Sequence, residues 1–349
     1  MNPVLRTVAI VNSFVLASLV TVYAQKNASE PAFLRRGVVL VPSDLTWKDW
    51  PQRASKAGLT TIALHSTPSV IEQFIDSPDG PAFLETCAKL GLQIEYELHA
   101  VGELLPRDMF PREPDCFRMN EKGIRTADAN LCVHSERALQ IASASMLRLA
   151  RKLKPSTRRY YFWGDDGAGW CHCPKCREYS DSEQALLLEN HLLAALRTLD
   201  SRAQLAHLAY HNTIEAPRKV KPAPGVFLEF APIHREYDKP LSEQYNGRDG
   251  LKLLEDNLKV FPPQSAQVLE YWLDVSRFSS WKRPAKQLPW RPDVMKADAQ
   301  TYSRLGIRSA TTFAVYIDAE YLRLYGEPVA IQDYGGILRS IPLPKSVGQ

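Results

Sequence analysis

The chain has 349 residues, and its proportions of charged (23%) and hydrophobic (45%) residues exclude an intrinsically disordered protein. Its 43 basic and 39 acidic residues give a formal net charge of +4 without any long basic run, so no nucleic-acid partner is expected. Neither an internal repeat nor a low-complexity linker interrupts the sequence, which predicts one folded domain.

The amino-terminal segment predicts an export signal. Arg6 precedes an apolar run from Val8 to Val22, and a small-x-small cleavage pattern ends at Ala24. We therefore expect residues 1–24 to be removed and the mature protein to be secreted or periplasmic, without stable membrane insertion. An uncleaved anchor is the weaker interpretation, because the run is short for a bilayer span.

Strand-like and helix-like segments alternate along the rest of the chain. Apolar runs of strand length occur at Val38–Val41, Thr60–His65, Gln93–His99, Tyr160–Trp163, Leu205–Tyr210, Val226–Phe230, Gln267–Trp272 and Ile307–Thr312. Helical spacing is clearest at Ser135–Leu153 and Asp181–Leu199. Eight such units in about 300 residues predict an α/β fold with a closed (β/α)8 barrel, and an open doubly wound sheet is the alternative.

Two links of the predicted barrel are irregular. The segment from His211 to Gly225 contains three prolines, so the fifth helix is expected to be degenerate, and the eighth helix, near Ala319–Tyr325, is short. The predicted barrel spans residues 33–326. Residues 327–349 form a C-terminal tail, for which closing the barrel base and docking a neighbour are both open.

Strand parity identifies candidate lumen residues. A barrel strand is buried on both faces, so a charge within it is expected to point into the lumen. The side chains that this rule directs inward are Glu95, Glu97, His99, Trp163, Asp165, His207, His211, Glu229, Glu270, Trp272 and Asp274. Several lie at carboxyl ends of strands, where barrel enzymes place their chemistry.

The acidic residues near the predicted mouth suit glycosidic bond hydrolysis, which needs one carboxyl group as acid and another as base or nucleophile. Asp165 and Asp166 follow the fourth strand, and adjacent carboxylates raise one another's pKa, which suits an acid. Glu229 is the candidate for the opposite carboxylate. Pairing with arginine or capping a helix remains an equal alternative for each acid.

Aromatic and imidazole side chains supply candidate sugar contacts. Trp163 and Trp272 could stack on a pyranose face, although filling the core is as good an explanation for each. His65, His99 and His211 could orient hydroxyl groups, with His99 favoured because it follows two lumen acids, although a lone histidine in a barrel is more often a structural group. Glu97 is a further candidate for substrate binding.

A cysteine cluster is the most specific local pattern. Cys171, Cys173 and Cys176 lie within six residues directly after the acidic pair, and Cys132 lies in the preceding loop region. Disulfide bonds are the usual fate of exported cysteines, while a four-thiolate zinc site is an equal alternative. A structural role is favoured over a catalytic one, so no cofactor is expected for catalysis.

Several stretches of this chain resemble a bacterial family of exported barrel proteins known as domain of unknown function 4838, which is similar to α-glucuronidases and hexosaminidases. The stretches are IEYELHAVGELLP, NEKGIRTADANLCV, WGDDGAGWCHCPKCREYSDSEQALLLENHLLAAL, AHLAYHNTIEAP and FLEFAPIHREYDKPL. The resemblance runs from about Gln93 to Thr312. It departs from the family pattern at Glu97-Leu98, where a glycine-rich stretch is expected.

The resemblance implies a glycosidase-type barrel with Asp165 and Asp166 at its mouth and an aromatic and basic segment around Arg235 and Tyr237. Arg235 would suit a uronate carboxylate, because its guanidinium can bind it with two hydrogen bonds. We therefore expect a glycoside hydrolase acting on a polysaccharide-derived oligosaccharide, with uronate-bearing ones among the candidates. A non-catalytic carbohydrate-binding barrel is the alternative, and a zinc hydrolase using the cysteines is a more distant one.

Overall fold

The computed structural model describes residues 30–243 and 250–344, and the predicted signal peptide therefore lies outside the described residues. Eight parallel strands form a closed barrel in chain order. The strands are β1 (Arg35–Leu40), β2 (Thr61–Ser66), β3 (Gln93–His99), β4 (Arg159–Trp163), β5 (Gln204–Tyr210), β6 (Val226–Ala231), β7 (Gln267–Glu270) and β8 (Ser309–Phe313). The predicted (β/α)8 barrel is confirmed.

Helices connect and cover the strands. They are α1 (Trp50–Lys56), α2 (Pro68–Asp76), α3 (Asp79–Lys89), α4 (Val101–Leu104), α5 (Glu136–Lys152), α6 (Asp181–Leu196), α7 (Gly250–Leu258), α8 (Val275–Phe278), α9 (Pro292–Arg304), α10 (Ala319–Tyr325) and α11 (Ala330–Ser340). Only a 3-10 turn, His211–Thr213, occupies the link between β5 and β6, which confirms the degenerate fifth helix. No helix in the two described ranges is both long and apolar enough to cross a membrane.

Local sequence signals explain where the two longest helices begin. Ser180 precedes α6, its hydroxyl accepts a hydrogen bond from the Glu183 amide, and the Glu183 carboxylate accepts one from the Ser180 amide. This reciprocal capping satisfies amide groups that have no partner within the helix. Ser135 precedes α5 and accepts a hydrogen bond from the Ala138 amide in the same way. Both helices thus begin immediately after the loops that reach the barrel mouth.

The predicted lumen orientation is correct for β3 and β6 and wrong for β7. In β7 and the residue that follows it, Leu269 and Tyr271 pack inside the barrel. Glu270 points outward, where its carboxylate accepts hydrogen bonds from Arg235 and from Tyr302 of α9. The parity rule fails here because a charge between sheet and helix can be buried if it is paired.

Two further side chains predicted to face the lumen also lie outside the barrel. The Trp272 indole donates a hydrogen bond to Asp298 of α9 at 3.1 Å and belongs to the core between sheet and helices. His207 on β5 contacts the carboxylate of Glu189 on α6 at 2.6 Å and stacks on Phe261. Each was misassigned because its partner comes from a distant helix.

Helix α11 covers the seam at which the barrel closes. Strand β1 pairs with β8, with Val38 opposite Thr312. The Tyr334 hydroxyl donates to the carbonyl of Gly37 at 2.8 Å and lies 3.3 Å from that of Ala310, so it spans both strands. α11 thereby packs this part of the predicted tail against the barrel.

Candidate functional site

A cavity of about 250 Å³ opens at the carboxyl ends of the strands. Its lining is mostly apolar, with few polar groups, which is the usual composition of a small-molecule site. The lining residues that argue for function are His65, His99, Trp163, Asp166, Tyr210, Tyr271, Asp274, Ser276, Trp281 and Phe313. They come from six of the eight strands or from the loops that follow them, so barrel closure assembles the site.

Two imidazoles, those of His65 and His99, lie at the floor of the cavity. His99 Nδ1 is 2.7 Å from the carbonyl of Gly164, and His65 Nδ1 is 2.9 Å from that of Glu97. A carbonyl only accepts, so each Nδ1 carries the proton and each Nε2 is left as an acceptor when the ring is neutral. Burial and the nearby His99 lower the pKa of His65 to about 3. His65 is therefore uncharged at physiological pH.

Trp163 lies among these rings, as the sequence predicts for a lumen aromatic. Its ring centroid is 5.2 Å from that of His99 and 5.7 Å from that of His65. The Phe313 ring lies 5.1 Å from His65 and completes an apolar surface at the base of the cavity. Such rings can contact the apolar face of a sugar.

Asp166 is the acid of the WGDDG motif that reaches the cavity. Its Oδ1 accepts a hydrogen bond from the Tyr210 hydroxyl at 2.9 Å and lies 3.8 Å from His99 Nε2. The side chain remains 67% exposed, so its position allows contact with a ligand from solvent. Tyr210 and His99 fix the orientation of this carboxylate.

Asp165, the adjacent acid, is turned away from the cavity. Its Oδ1 accepts a hydrogen bond from the Gly102 amide and its Oδ2 one from the Asn130 amide, both at 2.6 Å. Arg107 lies 3.4 Å from the same Oδ2. These contacts hold the loop after β4 against the loop after β3, and a catalytic role for Asp165 is therefore not supported.

Asp274, which follows β7, supplies a second carboxylate to the cavity from another side of the mouth. Its Oδ1 accepts hydrogen bonds from the Ser276 hydroxyl at 2.6 Å and from the Arg277 amide at 3.3 Å, and it caps α8. Burial nevertheless raises the pKa of Asp274 to about 6. An acid with this pKa can donate a proton near neutrality.

Glu97 and Glu229 face the lumen but lie below the cavity. Each precedes by two residues a side chain that lines it, His99 or Ala231, so each lies one layer deeper in the barrel. Glu229 is fully buried and accepts a hydrogen bond from Gln267 at 2.8 Å. Burial raises the pKa of Glu229 to about 8 and that of Glu97 well above its usual range. Glu229 is therefore not placed to be the opposite carboxylate that the sequence predicted.

The predicted sugar-binding residues outside this cavity have other contacts. Arg235 is fully buried, and its Nη1 lies 2.8 Å from both Glu270 and Asp298, so its guanidinium is not available for a uronate. The Tyr237 ring packs edge-on against that of Tyr271, and its hydroxyl donates a hydrogen bond to the Pro232 carbonyl. Trp272 packs outside the barrel, as described above.

His211, the remaining predicted contact, is exposed in the 3-10 turn after β5. Its ring packs against His234 at 4.8 Å between centroids, and it does not line the cavity. Its backbone is left-handed, with φ at 47°. The prediction that it faces the lumen is wrong because Leu208 and Tyr210 are the β5 residues that line the cavity, so His211 shares the outward parity of His207.

Trp281 is a cavity residue that sequence reasoning missed. Its side chain is 62% exposed at the rim, where it lines the cavity. Ser280 and Trp281 are both left-handed, with φ at 56° and 55°, and the Trp281 amide donates to the Ser276 carbonyl at 2.7 Å. Left-handed non-glycine residues cost of order 1 kcal/mol each, and this segment holds two in succession. A tryptophan in a polar loop after a strand was the available signal.

The four cysteines singled out in the sequence meet in one buried cluster. The Sγ atoms of Cys132, Cys171, Cys173 and Cys176 all lie within 4.8 Å of one another, and all four side chains are buried. Cys132 comes from the loop before α5, and the other three come from the loop before α6. This grouping confirms that the two loops converge.

Solved structures with the same fold include several carbohydrate-active enzymes. The catalytic domain of β-amylase from Paenibacillus polymyxa matches with a TM-score of 0.52 and 12% identity over 90% of this chain and 99% of that chain. A Bacteroides ovatus family 5 xyloglucanase matches at 0.50 and 12%, over 87% and 75%. A trimodular endo-β-1,4-glucanase from Bacillus licheniformis matches at 0.50 and 9%, over 88% and 60%. At these identities the likeness concerns the fold.

No curated protein sequence matches the chain. A family model does match, over residues 23–325, which include every strand of the barrel and the cavity built on them. The resemblance noted in the sequence is thereby confirmed, and the chain belongs to the family described as domain of unknown function DUF4838.

Proposed function

We propose that the protein is an exported glycoside hydrolase that acts on a polysaccharide-derived oligosaccharide. The observation that carries the proposal is the pair of carboxylates, Asp166 and Asp274, in one aromatic-lined cavity at the barrel mouth. Asp166 follows β4 and Asp274 follows β7, so two strands separate them along one side of the barrel and four along the other. A sugar seated between them could be contacted from both sides.

Asp274 is assigned the role of general acid. Its pKa of about 6 leaves a large fraction protonated in mildly acidic solution, and its hydrogen bonds from Ser276 and Arg277 both go to Oδ1. The proton passes from the Asp274 carboxyl to the glycosidic oxygen as the bond to the anomeric carbon breaks.

Asp166 is assigned the role of base or nucleophile. Its Oδ1 is oriented by Tyr210, and most of its side chain is exposed to the cavity opening. It either removes a proton from the attacking water or attacks the anomeric carbon itself, and the two routes give opposite product configurations. This assignment replaces Glu229, which lies too deep to meet the substrate.

The lining favours a neutral, hydroxyl-rich sugar. Trp163 and Trp281 offer indole surfaces, and His65 and His99 offer acceptor nitrogens for hydroxyl groups. No lysine or arginine lines the cavity within residues 30–243 and 250–344. The uronate preference inferred from Arg235 is not supported, because the Arg235 guanidinium forms ion pairs with Glu270 and Asp298.

The fold supports the same class of reaction. The solved structures with this fold include a β-amylase, a xyloglucanase and an endo-β-1,4-glucanase, all of which act on carbohydrate. The xyloglucanase structure is a complex with an XXXG heptasaccharide. A fold hosts many activities, so the carboxylate pair carries more weight than the match.

The test is a product-release assay on the purified mature protein with neutral aryl glycosides, neutral oligosaccharides and uronate-bearing oligosaccharides. We expect turnover on a neutral substrate and its loss in Asp166→Asn and Asp274→Asn. Glu85→Gln, an exposed acid on α3, serves as the matched control and should leave activity unchanged. Full activity in both Asn variants would refute the assignment.

A non-catalytic carbohydrate-binding barrel is the competing outcome of the same experiment. Saturable sugar binding without turnover on any substrate, unchanged in both Asn variants, would establish it. Export is tested separately by fusing residues 1–24 to a reporter that is active only outside the cytoplasm. An inactive fusion would refute the export part alone.

A further inference from the structure

The four-cysteine cluster has the dimensions of a metal site. The Sγ atom of Cys132 lies 3.8 Å from that of Cys173 and 3.7 Å from that of Cys176. A tetrahedron of thiolates with zinc–sulfur bonds of about 2.3 Å has sulfur–sulfur edges of about 3.8 Å. These two distances match Zn²⁺ coordination, and all the sulfur–sulfur distances in the cluster lie within 4.8 Å.

The surroundings of the cluster suit thiolates rather than neutral thiols. The Met119 amide lies 3.3 Å from the Cys171 sulfur and Arg125 Nη1 lies 3.8 Å from it, so both direct N–H groups at sulfur. His134 Nδ1 lies 3.2 Å from the Cys176 sulfur. Four thiolates around Zn²⁺ carry a net charge of −2, which such donors and the Arg125 cation stabilise.

The loop that supplies three of the cysteines is held by one buried glutamine. Gln184 on α6 accepts a hydrogen bond from the Cys171 amide and donates one to the Cys171 carbonyl, both at 3.1 Å. Its amide nitrogen also lies 3.4 Å from the carbonyl of Cys176. Gln184 thus attaches the backbone of this loop to α6 at two of its cysteines.

The cluster lies close in sequence to the residues that fix the WGDDG loop. Asn130, two residues before Cys132, accepts a hydrogen bond from the Asp165 amide at 2.9 Å, and its own amide donates to the Asp165 carboxylate. The Asn130 side-chain amide also donates to the carbonyl of Gly169 at 3.0 Å, two residues before Cys171. Holding Cys132 against Cys171 therefore restrains both of the chain segments that these Asn130 hydrogen bonds join.

We propose that Cys132, Cys171, Cys173 and Cys176 bind one structural Zn²⁺, and that this ion locks the loop after β3 to the loop after β4. Each thiol loses a proton to solvent as its sulfur binds the metal, so loading releases protons and is favoured by rising pH. Four protein ligands fill the coordination sphere of the ion, so no position remains open for substrate. Its effect on the cavity is to position the loop that carries Asp166.

The first experiment measures metal and thiol content in the full mature chain, purified without chelator. We expect one zinc per chain and loss of that zinc in Cys173→Ser. Cys87→Ser, which changes a buried cysteine of α3 outside the cluster, is the matched control and should keep the metal. Replacing zinc with Co²⁺ should give the visible spectrum of tetrahedral cobalt thiolate.

Two outcomes would overturn the proposal. Less than about a tenth of an equivalent of zinc in wild-type protein that also fails to bind added Zn²⁺ or Co²⁺ would exclude the site. A mass lower by the hydrogens lost in two disulfides, with only two thiols that react after denaturation, would assign the cysteines to disulfide bonds. Neither measurement depends on glycosidase activity or on the folding of a variant.

The locking role is tested by hydrogen exchange of the zinc-loaded and the chelator-treated protein. Amides from Trp163 to Cys176 and from Asn130 to Cys132 should exchange at least about tenfold faster after zinc removal, while those of β7 stay unchanged. Equal exchange rates in the two forms would refute the positioning role and leave only metal binding.

Discussion

The buried charge cluster around Arg235 gives the sharpest test of whether that arginine serves stability or substrate. Replacing it as Arg235→Ala leaves Glu270 and Asp298 buried beside one another without their shared cation. Breaking a buried ion pair by removing one partner costs about 3–5 kcal/mol, because the other charge stays uncompensated. At about 2 °C per kcal/mol for a chain of this size, the melting temperature should fall by about 6–10 °C.

The loss should depend on pH in a defined direction. Burial raises the pKa of Glu270 to about 7, above its value in the unfolded chain. The folded protein therefore retains this proton up to about pH 7, and Glu270 makes folding progressively less favourable as pH rises from about 4.5 to 7. Without Arg235 the ionised form is still less favourable, so the deficit of Arg235→Ala should be larger at pH 8 than at pH 5.

The assay is urea unfolding followed by tryptophan fluorescence, with thermal melting as a second probe. Arg323→Ala removes an exposed arginine that lies 3.8 Å from Glu320 and should cost less than about 1 kcal/mol. A cost below about 1 kcal/mol for Arg235→Ala as well, together with lost affinity for uronate-bearing sugars, would refute the structural assignment and restore Arg235 as a ligand contact.

Further predictions concern the cavity and the seam. If Asp274 is the acid, kcat should fall about tenfold per pH unit above pH 6. Ser276→Ala should shift this decline to a pH about one unit higher, because it removes a hydrogen bond that lowers the Asp274 pKa. A pH–rate profile without the decline would contradict the role. Trp281→Ala should raise KM about 2- to 12-fold with kcat little changed, because it removes an aromatic contact worth about 0.5–1.5 kcal/mol. An unaltered KM in steady-state kinetics would exclude stacking of the sugar on Trp281. Gly335→Ala should lower the free energy of unfolding by about 1–3 kcal/mol, because its Cβ would lie 2.1 Å from the Ala57 carbonyl oxygen. Gly336→Ala has open space around its Cβ and should raise the free energy of unfolding by up to about 1 kcal/mol. Equal melting temperatures of the two variants would show that α11 is not packed as described.

The barrel could be predicted from sequence because each strand is a short apolar run and each long helix keeps helical spacing. The eight strands lie within a few residues of their expected positions, and the inward direction of Glu97, His99 and Glu229 follows from alternation alone. The grouping of the cysteines was also predictable, since three are adjacent in sequence. These features depend on local pattern.

The errors in the site have a different origin, because they depend on partners distant in sequence. Glu270 faces outward since Arg235 neutralises it there and Tyr302 donates a hydrogen bond to it, and nothing within β7 indicates those partners. The position of a side chain along the barrel axis could not be predicted either. Alternation places Glu229 inside the barrel but does not show whether it lies at the mouth or in a deeper layer. Trp281 reaches the cavity through a loop, whose course no periodic pattern predicts, whereas Asp274 lies on the side that alternation directed inward.

The pairing of β1 with β8 makes the timing of synthesis matter. The Arg35 guanidinium hydrogen-bonds Ser309 across 274 residues of chain, and α11, which lies still later in the sequence, covers both strands. At about 5–20 residues per second, a ribosome needs about 15–55 s to make the intervening chain. Throughout that interval one edge of β1 has no hydrogen-bonding neighbour and is open to strands of other molecules. In a nascent chain of this protein, that edge of the first strand therefore stays unpaired until β8 has been made.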